Sequence, residues 1–493
     1  MATGAQGGPA LVIHGHFYQP PRENPWTGVV PEQPGAAPFH DWNERITAEC
    51  YGPVTAVEVT HLDGRVDTVN ALEHISFNMG PTLLSWLEVH HPEVYARVLD
   101  ADRRAGRAIA QAYGHAILPL CDDRDLRTQV RWGVADFRHR FGRAPEGMWL
   151  PETAVSERVL AVLAEEGVTF TILAPGQLRA VRLLDDPDGW HDLLNDVGEQ
   201  TEPVATDRPY RWLHPARADL GLDLVVYDGA LAHRLAFTEP TSASIVAMAV
   251  EHDAGRGGMV AAATDGETFG HHHRGAERVL ADALLVDGPA HGLHSPRLIE
   301  LLAARPPTHQ ARVRTSAWSC AHGVGRWVND CGCHTGGHEG WTQAWRAPLR
   351  AALDLLRDWG AGVVVRRGPS LFHDAWLARD AYVGVLVGAR SAEDFAAEHV
   401  TGDPAAAFAL LEAQRFGLLM YTSCGWFFND LAGIETVQIL QYAACAMDRY
   451  RDLGEEPPVG AFLEVLSRAV SNDPAAGDGR QIWAERVDAA RPV

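Results

Sequence analysis

The chain of 493 residues contains no lysine, so all 42 of its basic side chains are arginine. Without a lysine amine no Schiff base can form, which excludes pyridoxal-phosphate chemistry and class I aldolase chemistry. The P-loop, whose lysine contacts the phosphates, is excluded as well. Cysteine is scarce: seven residues, an odd number thinly spread, do not describe a secreted disulfide framework. No uninterrupted apolar run reaches the roughly 18 residues of a membrane span. The start, MATGAQGGPALVIHGH, has no basic region and only a short apolar run, unlike a signal peptide. Cytoplasm is therefore the expected location. Positive charge is in short supply too. With 42 basic against 64 acidic side chains the net charge is −22, a field that repels nucleic acid and anionic membranes. A neutral or cationic ligand suits it better.

What the chain does contain is apolar content of 46% and charged content of 22%, the balance of a globular protein with a substantial core. Its length predicts two or three domains. The first 300 residues repeat one pattern, a short apolar run, a polar cluster and then a helical stretch. The runs are Ala10 to Ile13, His74 to Phe77, Ile109 to Tyr113, Gly147 to Leu150, Leu222 to Val226 and Met259 to Ala263. They lead into His14-Gly15-His16, Asn78, Gly114-His115, Pro151-Glu152, Tyr227-Asp228 and Thr264-Asp265-Gly266-Glu267 respectively. Such runs fit strands buried on both faces, and intervening helices make them parallel.

One unit reads closely. Ala154 to Glu166 has Val155, Val159, Leu160 and Leu163 at helical spacing, with Thr153 as the expected N-cap and Gly167 placed to end the helix left-handed. The β-branched stretch VTFTIL at 168–173 then starts the next strand. Polar residues gathered at strand C-terminal ends fit a β/α barrel or a doubly wound sheet. The strand count and the missing glycine fingerprint favour the barrel. Beyond about residue 310 the pattern turns helical, over 341–358, 403–420, 434–452 and 458–471.

Glycosidic cleavage needs one carboxyl group to protonate the leaving oxygen and a second across the sugar. Glu152 and Asp265 each follow a buried run directly, where a charge is costly without a partner or a function. A helix cap or strand-end ion pair is the plainer reading of either one alone. HGHFYQPP at 14–21, MWLPET at 148–153, YDGALAHRLAF at 227–237 and ATDGETFGHHH at 263–273 resemble, in order, the motifs of glycoside hydrolase family 57. The resemblance implies an incomplete (β/α)7 barrel over residues 8–310, then a mainly helical domain over 311–493 that contributes to the substrate cleft. It also implies α-glucan substrates, retained anomeric configuration, Glu152 as nucleophile and Asp265 as acid/base, with no cofactor required for catalysis. Hydrolase, 4-α-glucanotransferase and branching enzyme all fit this chemistry.

Glu267, two residues from Asp265, is the rival carboxylate and is otherwise expected to contact substrate. The same role is expected of His14, His16, Gln19, Asn78, His115, Asp228 and His271, and of Trp149, Trp318, Trp341 and Trp426 as rings for sugar stacking. For any one of these tryptophans core packing is the alternative. His14 and His16, with His115 or Asp265, also have the makings of a zinc site. That reading gives a metal-dependent carbohydrate deacetylase or an α-mannosidase-like enzyme; a glucan-binding protein without catalysis is a third. Cys320, His322, Cys331, Cys333 and His334 hold enough soft ligands for a structural zinc, although CxC is tighter than the usual CxxC, and buried free thiols are the alternative. An oligo- or polysaccharide is the expected partner.

Overall fold

The computed structural model describes residues 9–195, 199–253 and 258–492. The chain folds into two compact units. The first comprises residues up to Gln19, Gln33–Gln111 and Arg140–Trp318; the second comprises Pro20–Glu32, Ala112–His139 and the chain from Ser319 on.

The first unit is built on seven parallel strands in chain order: β1 (Ala10–Phe17), β2 (Ser76–Met79), β3 (Ala110–Gln111), β4 (Met148–Trp149), β5 (Phe170–Leu173), β6 (Gly221–Val226) and β7 (Met259–Asp265). β1 pairs with both β2 and β7, β3 with β4, and β5 with β6. Single parallel bridges at Phe77–Ala108 and Gly147–Phe170 join β2 to β3 and β4 to β5. The amide of Asp228, just past β6, donates to Ala261 O of β7 at 2.7 Å, which brings the last pair together. Each strand thus neighbours its successor around an incomplete (β/α)7 barrel, the fold that the family resemblance implies and that the strand pattern favours over a doubly wound sheet. Ala10, Val12, Ile172, Val225, Met259 and Ala261 belong to its packed interior.

The connection after β4 differs from the expectation in its start. The helix is Glu157–Glu165, and Ser156, not Thr153, caps it by accepting from Val159 N. Thr153 is unavailable because Pro151–Thr153 form a separate tight turn. Gly167 ends the unit at φ +83°, as its residue type requires. Between β5 and β7 the sheet also grows sideways. Tyr210–Leu213 runs antiparallel to β6, and beyond it lie His309–Val313, Leu178–Leu183 and His191–Asp192. The expected boundary at 310 falls inside this sheet.

The second unit is mainly helical. Its longest helix, Arg346–Leu371, starts later and runs further than the spacing over 341–358 predicts. Pro404–Leu419 packs along Ile434–Asp452, and Val459–Leu466 lies against Arg346–Leu371. No described helix is long and apolar enough to cross a membrane.

Gly147 fixes how closely β4 and β5 approach, since a Cβ there would lie 2.4 Å from the Phe170 ring. Phe170 is buried in the core and has little freedom to yield. Gly147→Ala is expected to cost about 1–3 kcal/mol of overpacking. Urea unfolding monitored on the purified chain reads this as a lower midpoint.

Candidate active site at the barrel mouth

Register alone assembles most of the site. In the β1–β7 and β1–β2 pairings His16 is the partner of both Asp265 and Asn78, and His14 is the partner of Ser76. Gln111 of β3 pairs with Trp149 of β4. A strand alternates its faces, so His14 and His16 project to the same side, as do Ser76 and Asn78.

These side chains form one connected network. His14 Nδ1 lies 2.9 Å from Ser76 Oγ and its Nε2 lies 3.0 Å from Asn78 Oδ1. An amide oxygen only accepts, so Nε2 donates and Nδ1 accepts from the serine hydroxyl. Asn78 Nδ2 donates to His16 Nδ1 at 2.9 Å and to Gln111 Oε1 at 2.6 Å, leaving the His16 proton on Nε2. Trp149 stacks on both imidazoles, at 4.7 Å from His14 and 5.0 Å from His16. Burial lowers both histidines to about 3, so each is neutral near pH 7. Both ring nitrogens of His14 are committed within the protein, an arrangement that does not suit a metal ligand.

Glu152 occupies a strained turn. Its φ is +58° and that of Thr153 is +48°, left-handed values that a β-branched residue rarely adopts. The segment 314–318 holds this turn in place. Trp318 N donates to Glu152 O and to Thr153 Oγ1, both at 3.0 Å, and Trp318 Nε1 donates to Glu152 Oε2 at 3.0 Å. Val155 and Ser316 exchange backbone hydrogen bonds, and Gln177 Nε2 donates to Thr153 O at 2.7 Å. Glu152 is left half-buried with its carboxylate fixed by an indole N–H.

Asp265 and Glu267 have opposite surroundings. Asp265 is exposed at the last position of β7, with Glu267 and Glu152 near enough for their charges to act on it. Burial first, then the charges of Glu267 and Glu152, raise its pKa well above the usual carboxylate value. Glu267 is buried behind it. Its Oε1 accepts from the Tyr51 hydroxyl at 2.5 Å and from Tyr18 N at 3.1 Å, and burial pushes its pKa up to about 7 against those bonds. Glu267 ties the end of β1 to the segment Thr47–Tyr51 and does not face the opening.

The other expected contacts divide. Gln19 is buried and donates to Tyr18 O; Asn78 is buried in the histidine network. Asp228 caps the helix Gly229–Phe237 through Leu231 N and pairs with His252, so its carboxylate already has structural partners. His271 pairs with Glu49. Trp149 and Trp426 are fully buried, which removes both as sugar-stacking faces. Trp318 and Trp341 are partly exposed. His115, Trp341 and Trp426 belong to the second unit, where His115 Nδ1 meets Ser423 Oγ at 2.7 Å. Of the five Cys/His residues, Cys320, His322, Cys331 and Cys333 converge, whereas His334 Nδ1 accepts from Gly336 N and stands apart. Sequence reading missed Ser76, which the i, i+2 spacing from Asn78 signals. It also missed Tyr51, Gln177 and Ser316, which no local pattern marks.

A family model described as glycosyl hydrolase family 57 matches residues 13–280, and one described as a domain of unknown function matches 341–492. An alpha-amylase from Dictyoglomus thermophilum is 25% identical over 142 residues, 29% of this chain and 21% of that protein. The chain thus spans about a fifth of the curated relative it matches. Among solved structures, an exo-type maltose-forming amylase from a Pyrococcus species superposes with a TM-score of 0.70 at 13% identity, over 93% of this chain and 82% of that one. A branching enzyme from Pyrococcus horikoshii gives 0.55 at 14% identity, over 94% of each chain. A 4-α-glucanotransferase from Thermococcus litoralis gives 0.53 at 13% identity, over 90% of this chain and 60% of that one.

The two imidazoles make acid stability testable. A histidine held neutral when folded but titrating near 6.5 when unfolded contributes stability above pH 6.5, lost as pH falls towards about 3. Denaturation midpoints measured across that window are expected to fall steadily. In His14→Gln the fall should be shallower, and equal slopes would contradict the neutral assignment.

Proposed function

Because the chain belongs to glycosyl hydrolase family 57, we propose that it acts on α-1,4-linked glucans by a retaining double displacement with Glu152 as nucleophile and Asp265 as acid/base. The observation that supports this most is the contrast between the two carboxyl groups. One is fixed by an indole N–H at the cleft and the other carries a raised pKa, the division of labour that double displacement needs.

In the first step Asp265, protonated, gives its proton to the leaving glycosidic oxygen while a Glu152 carboxylate oxygen attacks the anomeric carbon. The products are a glycosyl-enzyme ester and a released sugar hydroxyl. In the second step Asp265, now ionised, takes a proton from water or from an acceptor sugar hydroxyl, whose oxygen displaces Glu152. Two inversions give net retention. Trp318 holds the nucleophile by donating to Oε2, and His16, with its proton on Nε2, is suited to donate to a sugar oxygen in the subsite where cleavage occurs. No cofactor enters either step. The committed ring nitrogens of His14 weigh against the deacetylase and mannosidase readings. None of the seven cysteines is in a disulfide, which fits a reducing compartment and a cytoplasmic location.

Incubation with maltooligosaccharides of one length tests the reading. Shorter products alone indicate hydrolysis, and longer with shorter ones indicate transfer; no reaction on any α-glucan contradicts it. Glu152→Ala should be inactive and, with azide, give a glycosyl azide of inverted configuration. Asp265→Asn should lose the acidic step, and an Asp265→Asn variant as active as wild type would overturn its role. Trp318→Phe removes a hydrogen bond to a charged group, worth roughly 1.5–3 kcal/mol. A fall in kcat of about tenfold to a hundredfold is expected, with the chain still folded by circular dichroism.

A further inference from the structure

In the second unit, the chain from Ser319 to Trp345 has only one regular turn, Gly325–Trp327. Loops of this length inside a compact unit need something to hold them. Within it Cys320, His322, Cys331 and Cys333 each point one ligand atom to a common place, all four atoms lying within 4.8 Å of one another. We propose that these four residues form a structural zinc site, independent of the catalytic carboxylates.

The separations decide between a metal and a chance cluster. Zinc bonds of about 2.3 Å to sulfur and about 2.0–2.1 Å to imidazole nitrogen, set tetrahedrally, give S···S edges of about 3.8 Å and S···N edges of about 3.5 Å. Cys320 Sγ lies 3.9 Å from Cys331 Sγ and 3.8 Å from Cys333 Sγ, and Cys333 Sγ lies 3.5 Å from His322 Nδ1. Those sulfur separations are roughly twice a disulfide bond. The backbone is arranged to allow the convergence. Gly332, between the two cysteines of the CxC pair, sits at φ +79°, and Gly325 lets the chain approach Cys331, where a Cβ would lie 3.1 Å from Cys331 Cβ.

The surroundings supply what thiolate ligands need. Arg326 N points at Cys320 Sγ at 3.4 Å, a backbone N–H of the kind that steadies a metal-bound sulfur. Zn²⁺ with three thiolates and a neutral imidazole carries one net negative charge. Beside it Arg346 is fully buried, donating to Cys333 O at 2.9 Å and Phe428 O at 3.3 Å. A buried guanidinium held by carbonyls gains a countercharge from such a centre. The turn that the metal would fix buries Trp327, whose Nε1 donates to Ser423 O at 3.1 Å.

The full chain, purified without added metal or chelator, should carry one zinc per chain by mass spectrometry of the metal. Cobalt exchanged into the site should show tetrahedral d–d bands with thiolate charge transfer. Cys331→Ser and Cys333→Ser should lose the zinc and melt at lower temperature, while His334→Ala keeps it. Should the serine variants not fold, wild-type metal content and the cobalt spectrum still decide. Metal-free protein with Cys320, Cys331 and Cys333 all freely alkylated, a disulfide among them, or iron in place of zinc would overturn the assignment.

Discussion

The barrel mouth depends on one strained turn. Pro151-Glu152-Thr153 places two non-glycine residues at positive φ, a conformation costing of order 1–3 kcal/mol per residue that persists only where surrounding structure over-determines it. Here the segment 314–318 does so, with Trp318 bonding the backbone of Glu152, the side chain of Thr153 and the carboxylate itself. A relaxed turn would continue into the helix that starts at Glu157. The strained one ends β4 abruptly and leaves Glu152 half-buried just past the strand's C-terminal end. The orientation of Glu152, the proposed nucleophile, is thus a property of a chain segment more than 160 residues away in sequence, not of its own motif.

The second constraint is the histidine–amide network of β1, β2 and β3. Burying five polar side chains at the ends of parallel strands is tolerable only if each finds a partner, and register provides them: Ser76 beside His14, Asn78 beside His16, Gln111 beyond. Burial keeps both imidazoles neutral, against the Asn78 hydrogen bonds that favour the charged form. That matters for the proposed acid/base role of Asp265, because an imidazolium beside it would lower its pKa and leave it ionised, without a proton to give.

The parts of this fold governed by local pattern were legible in the sequence, and the parts governed by long-range packing were not. Short apolar runs ending in His, Asn, Glu or Asp marked six barrel strands and VTFTIL the seventh, because parallel strands buried on both faces leave that trace. Asp265 and Glu267 could not be separated by spacing, since both would share a face of an extended strand. The chain leaves β7 between them, so one opens to solvent while the other turns back to Tyr51. Trp149 and Trp426 suggested sugar stacking by residue type alone, but both are buried; a tryptophan's identity does not say which side of the core it serves. Thr153, a helix cap by residue type, instead lies in the turn before the helix, where its hydroxyl accepts from Trp318 N. The sheet extension pairs Tyr210–Leu213 in parallel with His309–Val313, segments about a hundred residues apart, a pairing no window along the chain reveals.

The proposed mechanism passes through a glycosyl ester at Glu152 that is displaced by an acceptor oxygen with Asp265 as general base, and the stereochemistry of the first-formed product reads that directly. Proton NMR of the anomeric signals during the early turnover of a maltooligosaccharide should show the α-anomer first, with the β-anomer growing in only by mutarotation. The β-anomer appearing first would mean a single displacement by water and would contradict the assignment of the two carboxylates.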